Sequence, residues 1–224
     1  MRKPMGRRLV AYILDILLVS VIVTAFSYIK FLNPKFEEYN KYSEEYESYI
    51  QELSMNNPTA VLSDEKATEL AYNVSYFGVY TSIISLVITF LYFCIFQYYT
   101  NGKTLGKLVM GIEVTSTDND RLKLSQVIIR SAIVDSILTS SLSIICLLFL
   151  SKTQFLTYSR IIEFIDLGLV LLCIGIAVYR DDGVGLHDKL AHTRVIYTSE
   201  KENIIKEATV TEKNKTKKIK KEAE

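Results

Sequence analysis

Apolar and polar positions alternate along this chain in long blocks. Residues 9–32, 74–98, 127–150 and 161–179 are dominated by apolar side chains, each close to the ~20 residues that a helix needs to cross a bilayer core. The pattern predicts an all-α integral membrane bundle of four transmembrane helices. Residues 33–73 form a polar loop in which Tyr39, Tyr42, Tyr46, Tyr49 and Leu53 recur at helical spacing. That spacing predicts an amphipathic helix, stopped by Met55-Asn56-Asn57-Pro58. A new helix is expected from Ser63-Asp64-Glu65, where a capping side chain and an acid suit a helix N-terminus. In the linker 100–126, Leu105, Leu108, Val109 and Ile112 have the spacing of a short interfacial helix. Gly111-Ile112-Glu113-Val114-Thr115 reads equally as a short strand, and Asp118-Asn119-Asp120 as a turn. A short loop with Lys152 and Arg160 separates the last two spans. The chain thus divides into an N-terminus, 1–8, a membrane domain, 9–198, and a charged tail, 199–224.

Charge orients this plan. The N-terminus, the 100–126 linker and the tail are basic beside their spans, whereas the 33–73 loop is acidic. Excess Lys and Arg marks the cytoplasmic side, so both termini and the linker are expected there, and the acidic loop outside. Lys152 and Arg160 dissent from a very short loop. An uncleaved first span fits better than a signal peptide, because the apolar stretch is long, contains Asp15 and lacks a small-x-small site before Lys30. A net charge of +1 gives no global field for nucleic acid. The expected surroundings are the bilayer of the cell membrane and, for so small a chain, a homo-oligomer. Cys94, Cys146 and Cys173 lie in apolar runs at spacings unlike a metal site; they read as packing residues. The Lys-rich end, residues 213–221, suits anionic lipid or a solvated tail.

The candidate chemistry is carried by charges inside apolar runs. Asp15 lies roughly seven residues into the first span. A carboxylate there needs a protein or water partner and is by default a functional candidate, for a proton or a cation such as sodium. Arg8, seven positions earlier, shares its face about 10 Å away along the axis, too far for a direct i, i+4 pair. Span three repeats the theme with Arg130 and Asp135, but five positions place these about 140° apart around the helix. Ser131, Asp135, Thr139 and Ser143 line one side of that span, with Ser136 and Ser140 adjacent. Gly78, Ser82, Ser85 and Thr89 line one side of span two. Such stripes either line a hydrated path or permit close helix packing, with packing the stronger expectation. Glu163 and Asp166 share a face at the start of span four and read as a hydrated interfacial pair facing Arg160, or as cation ligands lacking a third oxygen.

Other signals fail on inspection. Gly102-Lys103-Thr104 resembles the end of a phosphate loop, but Gln97 stands where the first glycine is required. His187, Asp188 and His192 lack a fourth ligand, and their spacing suits a turn packed under the bundle better than a metal site. No nucleophile–base pair, metal set or cofactor loop emerges, so no enzyme is expected.

Three segments resemble a known family: Arg8 through Asp15, the run Gly102-Lys103-Thr104-Leu105-Gly106-Lys107-Leu108-Val109-Met110-Gly111-Ile112, and the tail Gly185-Leu186-His187-Asp188-Lys189-Leu190-Ala191-His192-Thr193-Arg194-Val195. In this order they are similar to the RDD family of small membrane proteins, named for one arginine and two aspartates. The resemblance places these on Arg8, Asp15 and Asp188. The long acidic loop and the Lys-rich end depart from the family pattern. The resemblance implies a multi-span membrane domain of poorly defined activity, with some members looking like sodium/proton antiporters. It also suggests that Asp188 meets Arg8 on the cytoplasmic side, in which case reversing both charges would rescue either single reversal. Two readings follow. One is a cation/proton antiporter using Asp15 with Asp135; the other is a scaffold whose Arg and Asp residues are structural.

Overall fold

The computed structural model describes residues 4–56, 64–118, 121–180 and 182–199; the Lys-rich end lies outside them. Helix α1, Met5–Ser27, is followed by a helical hairpin of α2, Phe36–Asn56, and α3, Glu65–Phe77. The tyrosine face of α2 packs on α3: Tyr42 stacks on Phe77 with ring centroids 4.9 Å apart, and Tyr49 donates to Asp64 at 3.1 Å. Asp64 also caps α3, accepting from the Ala67 amide at 2.8 Å.

Helix α4, Val79–Phe90, continues through a π-helical turn, Leu91–Phe96, into α5, Gln97–Tyr99. A π-turn rotates side chains out of α-helical register and often marks a functional position; here it carries the buried Tyr92, Phe93 and Cys94. Next come α6, Leu105–Val109, and strand β1, Ile112–Ser116. Both readings of the linker therefore apply, to successive segments: Leu105 to Val109 are helical, while Ile112 lies fully buried in the strand.

The third apolar run is not one helix. It divides into α7, Leu124–Val134, and α8, Ile137–Phe149, bent by 66°. Ser136 at the break is left-handed, φ 53° and ψ 24°, a conformation costly for a residue with a Cβ. The loop expected before span four is helical instead, and α9 runs from Lys152 to Tyr179. At its start the Gln154 side-chain oxygen accepts from both the Ser151 amide, at 3.2 Å, and the Ser151 hydroxyl, at 2.9 Å, so the helix begins well before the apolar run. Among the described residues, three helices are long and apolar enough to cross a membrane: Met5–Ser27, Val79–Tyr99 and Lys152–Tyr179. The bent pair α7–α8 makes up to four. Their exposed side chains include Leu9, Ile13, Leu17, Val21, Leu171 and Leu172, as expected of faces that meet lipid.

The chain after α9 returns to the N-terminal end of α1. Helix α10, Leu186–Leu190, leads into β2, Thr193–Tyr197, which pairs antiparallel with β1 from Ile112 opposite Tyr197 to Ser116 opposite Thr193. Ile112, Val114 and Val195 form a small core with Ala11. A hairpin assembled from distant segments thus plugs one end of the helical bundle, and the acidic α2–α3 hairpin extends from the other end of α1.

Candidate functional site: a charged interior with three carboxylates

Six charged side chains that span the sequence gather beneath this plug. Arg8, Asp15, Lys107, Arg130 and Asp135 line one cavity of about 360 Å³, together with His187. Asp188, the sixth, is buried beside it with no exposure. Three cations thus balance three carboxylates, but the carboxylates are served very differently.

Asp188 is the anchor. Its two oxygens take one arginine each: Oδ2 is paired with Arg8 and Oδ1 with Arg130. The Gly185 amide also donates to Oδ2 at 3.2 Å, fixing the start of α10. Arg8 donates further to the Gly183 carbonyl at 2.6 Å. Arg8 and Arg130 therefore tie α1 and α7 to one point on the returning tail. His187 lies 3.4 Å from both Arg8 and Asp188. Burial, reinforced by Arg130 and Arg8, holds its pKa far below the ordinary histidine value, so it is neutral throughout the physiological range. The two histidines do not converge on a metal: His192 is exposed and faces Asp118 at 3.0 Å. No group of His, Cys, Asp or Glu among the described residues is arranged to hold a metal ion.

Asp15 meets neutral donors. Tyr92 donates its hydroxyl to Oδ1 at 2.6 Å, the Gly106 amide donates to the same oxygen at 2.7 Å, and the Thr104 hydroxyl donates to Oδ2. The Leu105 amide in turn donates to the Tyr92 oxygen at 3.0 Å. The N-terminal turn of α6 is thereby stapled to the middle of α1. Gly106 permits this approach, since a Cβ there would stand 2.2 Å from the Ala11 carbonyl and 2.8 Å from the Asp15 carboxylate. Gly102 has the same role at the preceding turn: its φ is +87° and a Cβ would fall 2.0 Å from the Val114 carbonyl. The glycines and threonine of the Gly102–Gly106 run thus build a receptor for the Asp15 carboxylate. Tyr92 was a residue that sequence reasoning missed. Its one signal was a hydroxyl within an apolar run, indistinguishable there from an interfacial tyrosine.

Asp135 is held by neither kind of staple. It occupies the break between α7 and α8, half-buried. Its hydrogen-bonding neighbour is Ser131, yet that hydroxyl donates its single proton to the Phe93 carbonyl at 3.2 Å. Lys107 and Arg130 act on Asp135 through their charges, but Arg130 is committed to Asp188, and Lys107 donates to the neutral Gln97 oxygen at 3.0 Å. Among the described residues, Lys107 and Asp135 are therefore the interior charges without a close ion pair, and each acts on the other through its charge. Burial and the charge of Arg130 lower the Lys107 ammonium to a pKa of about 8. No hydrogen bond joins Asp135 to Asp15 among the described residues, so they share a cavity and do not form a carboxylate dyad.

A second cavity, of about 250 Å³, lies on the other side of Asp135, between α4 and α8. Ser82, Ser85 and Thr89 line it from α4, and Ser140 and Ser143 from α8. The two hydroxyl stripes thus meet where α4 packs against α8, and they line a cavity between the two helices. Ser140 and Ser143 line the cavity from α8, while Thr139, on the same helix, donates to Asp166 on α9. Asp166 accepts from Ser136 at 2.8 Å and from Thr139 at 2.6 Å. Its hydrogen-bond partners among the described residues are thus on α8, and Glu163, three residues earlier on α9, is exposed.

Helices of membrane-spanning length around a charge-paired interior define a small polytopic membrane protein. The RDD family profile matches residues 2–192 of the 224, and the chain belongs to the RDD family. No curated protein and no solved structure gives a significant match. Arg8, Asp15 and Asp188, the residues singled out by the resemblance, are the two stapled carboxylates and the arginine that serves one of them.

Proposed function

We propose that this protein is a secondary transporter of the cation/proton antiporter kind, with Asp135 as the exchanging carboxylate. The observation that carries the reading is that Asp135 belongs to the walls of both cavities. A carboxylate whose one hydrogen-bonding neighbour, Ser131, is shared with the Phe93 carbonyl, and which lines space on both sides, is able to bind and release a proton or small cation such as sodium. Each cavity is far larger than the ~10–15 Å³ that one water requires. Hydroxyls on one side and Lys107 on the other provide polar steps toward and away from it. Lys107 supplies the compensating charge when Asp135 is ionised. Asp15, the first candidate by depth in the membrane, is a staple in this reading, because its three donors leave little reason to exchange. Both termini and the β1–β2 plug face the cytoplasm of a cell-membrane protein in this proposal, following the basic flanks of the spans. Alternating access by so small a bundle favours a homo-oligomer.

The alternative is a scaffold without transport, supported by the fact that four of the six interior charges, Arg8, Asp15, Arg130 and Asp188, have dedicated structural partners. Ion flux separates the two readings. Proteoliposomes containing the purified chain should show a sodium-driven pH change that Asp135→Asn abolishes without unfolding the protein. A folded wild type that moves no protons would favour the scaffold.

A further inference from the structure

The break between α7 and α8 has no local cause in the sequence. Neither glycine nor proline stands at Val134-Asp135-Ser136-Ile137, although sharp kinks are nearly always found at such residues or at inserted groups. Ser136 nevertheless adopts a left-handed conformation and the axis turns by 66°. A strained residue persists only when its surroundings over-determine it. Two contacts do so here, from two other helices. From α1, Tyr12 donates its hydroxyl to the Val134 carbonyl at 3.1 Å, an acceptor freed because the helix stops. From α9, Asp166 gives one oxygen to Ser136 and the other to Thr139, occupying both on the first turn of α8. A carboxylate there also complements the positive end of the helix.

The consequence reaches Asp135. On an unbroken helix Asp135 and Thr139, four apart, would lie on one face. In the bent pair Thr139 faces α9 and Asp135 faces the cavities. We propose that Asp166 is a positioning residue: through Ser136 and Thr139 it holds the α7–α8 joint bent and so keeps Asp135 on the wall that the two cavities share. The functional consequence rests on the reading of Asp135 as the exchanging group; the joint itself does not.

The test measures the joint directly. Spin labels at residues 129 and 148, exposed sites on α7 and α8, report the inter-helix distance in the full-length protein with its three cysteines replaced. Asp166→Ala is expected to lengthen and broaden that distance, as the helices straighten. Adding Ser136→Gly should restore most of the native distribution, because glycine adopts the left-handed conformation without a Cβ penalty. A general loss of packing would not be repaired by removing one more side-chain hydroxyl. If Asp166→Ala does not fold, Asp166→Asn carries the test, since its single amide oxygen can accept only one of the two hydroxyls fully, and a broadened distribution is again expected. A native distribution in folded Asp166→Ala or Asp166→Asn, or a double variant no closer to native than Asp166→Ala, overturns the proposal. In vesicles, Asp166→Ala should reduce exchange and Ser136→Gly should return it. Absent exchange in the wild type would count against the transport reading alone, because the distance measurement stands without it.

Discussion

Asp15 and Asp135 are both carboxylates set in apolar helices, yet one is surrounded by donors and the other by space. Asp15 accepts from Tyr92, Thr104 and the Gly106 amide; Asp135 has a serine whose proton is committed elsewhere and a cavity on either side. Depth in the membrane makes both costly as ions. Their surroundings decide what the cost is used for. Three dedicated donors make a carboxylate a structural staple, and their absence leaves one free to exchange. Asp188 extends the series, with a charged partner on each oxygen.

The contrast can be broken at its strongest point first. Asp188→Ala leaves Arg8 and Arg130 buried together without their counter-ion, a change of the kind that costs about 3–5 kcal/mol. The expected result is loss of folded, monodisperse protein in size-exclusion chromatography. Exchanging the charges of Arg8 and Asp188 should not rescue folding, because Arg130 would then face a new arginine. That corrects the simple two-residue swap expected before Arg130 was seen at the same carboxylate.

A smaller loss is expected on the Asp15 side. Asp15→Asn weakens bonds to a charged acceptor, worth about 1.5–3 kcal/mol in a typical case, and presents an amide where the Gly106 amide needs an oxygen. Thermal unfolding should fall, and limited proteolysis near α6 should rise. Gly106→Ala should act in the same direction by about 1–3 kcal/mol through overpacking. Asp135→Asn, by contrast, removes no close ion pair and should lower thermal stability less than Asp15→Asn does. A melting temperature that falls as far for Asp135→Asn as for Asp15→Asn would erase the distinction.

The smallest effect concerns Lys107. Its folded pKa of about 8 lies below the model-compound value of 10.5. Between these values the unfolded chain binds more protons than the folded one, so stability should rise with pH from 8 to 10.5. Below pH 8 the ammonium is charged in both states and the contribution is constant. Lys107→Met should flatten that rise in a melting-temperature series, and an unchanged slope would count against the buried-ammonium picture.

How much of this was legible beforehand varies by element, for identifiable reasons. The apolar runs mark where the membrane helices lie because hydropathy is a local property. Asp64 as the cap of α3 was readable from local chemistry, while the predicted stop at Met55-Asn56-Asn57-Pro58 lies partly outside the described residues. The break at Ser136 was not, since it is enforced by Tyr12 and Asp166 from other helices. Likewise Asp15 was recognisable as needing a partner, but Thr104 lies 89 positions away. The β1–β2 pairing joins the linker to the tail, and only the strand pattern at 111–115 hinted at half of it. Span four begins early at Lys152 because capping and helix propensity continue where hydropathy stops.

Sodium-driven pH change in proteoliposomes, measured for wild type, Asp15→Asn and Asp135→Asn at matched amounts of folded protein, tests the central distinction most directly. The account predicts exchange in the wild type, exchange in whatever fraction of Asp15→Asn folds, and none in a fully folded Asp135→Asn. Exchange that persists in Asp135→Asn, or a folded wild type that is silent, would contradict it.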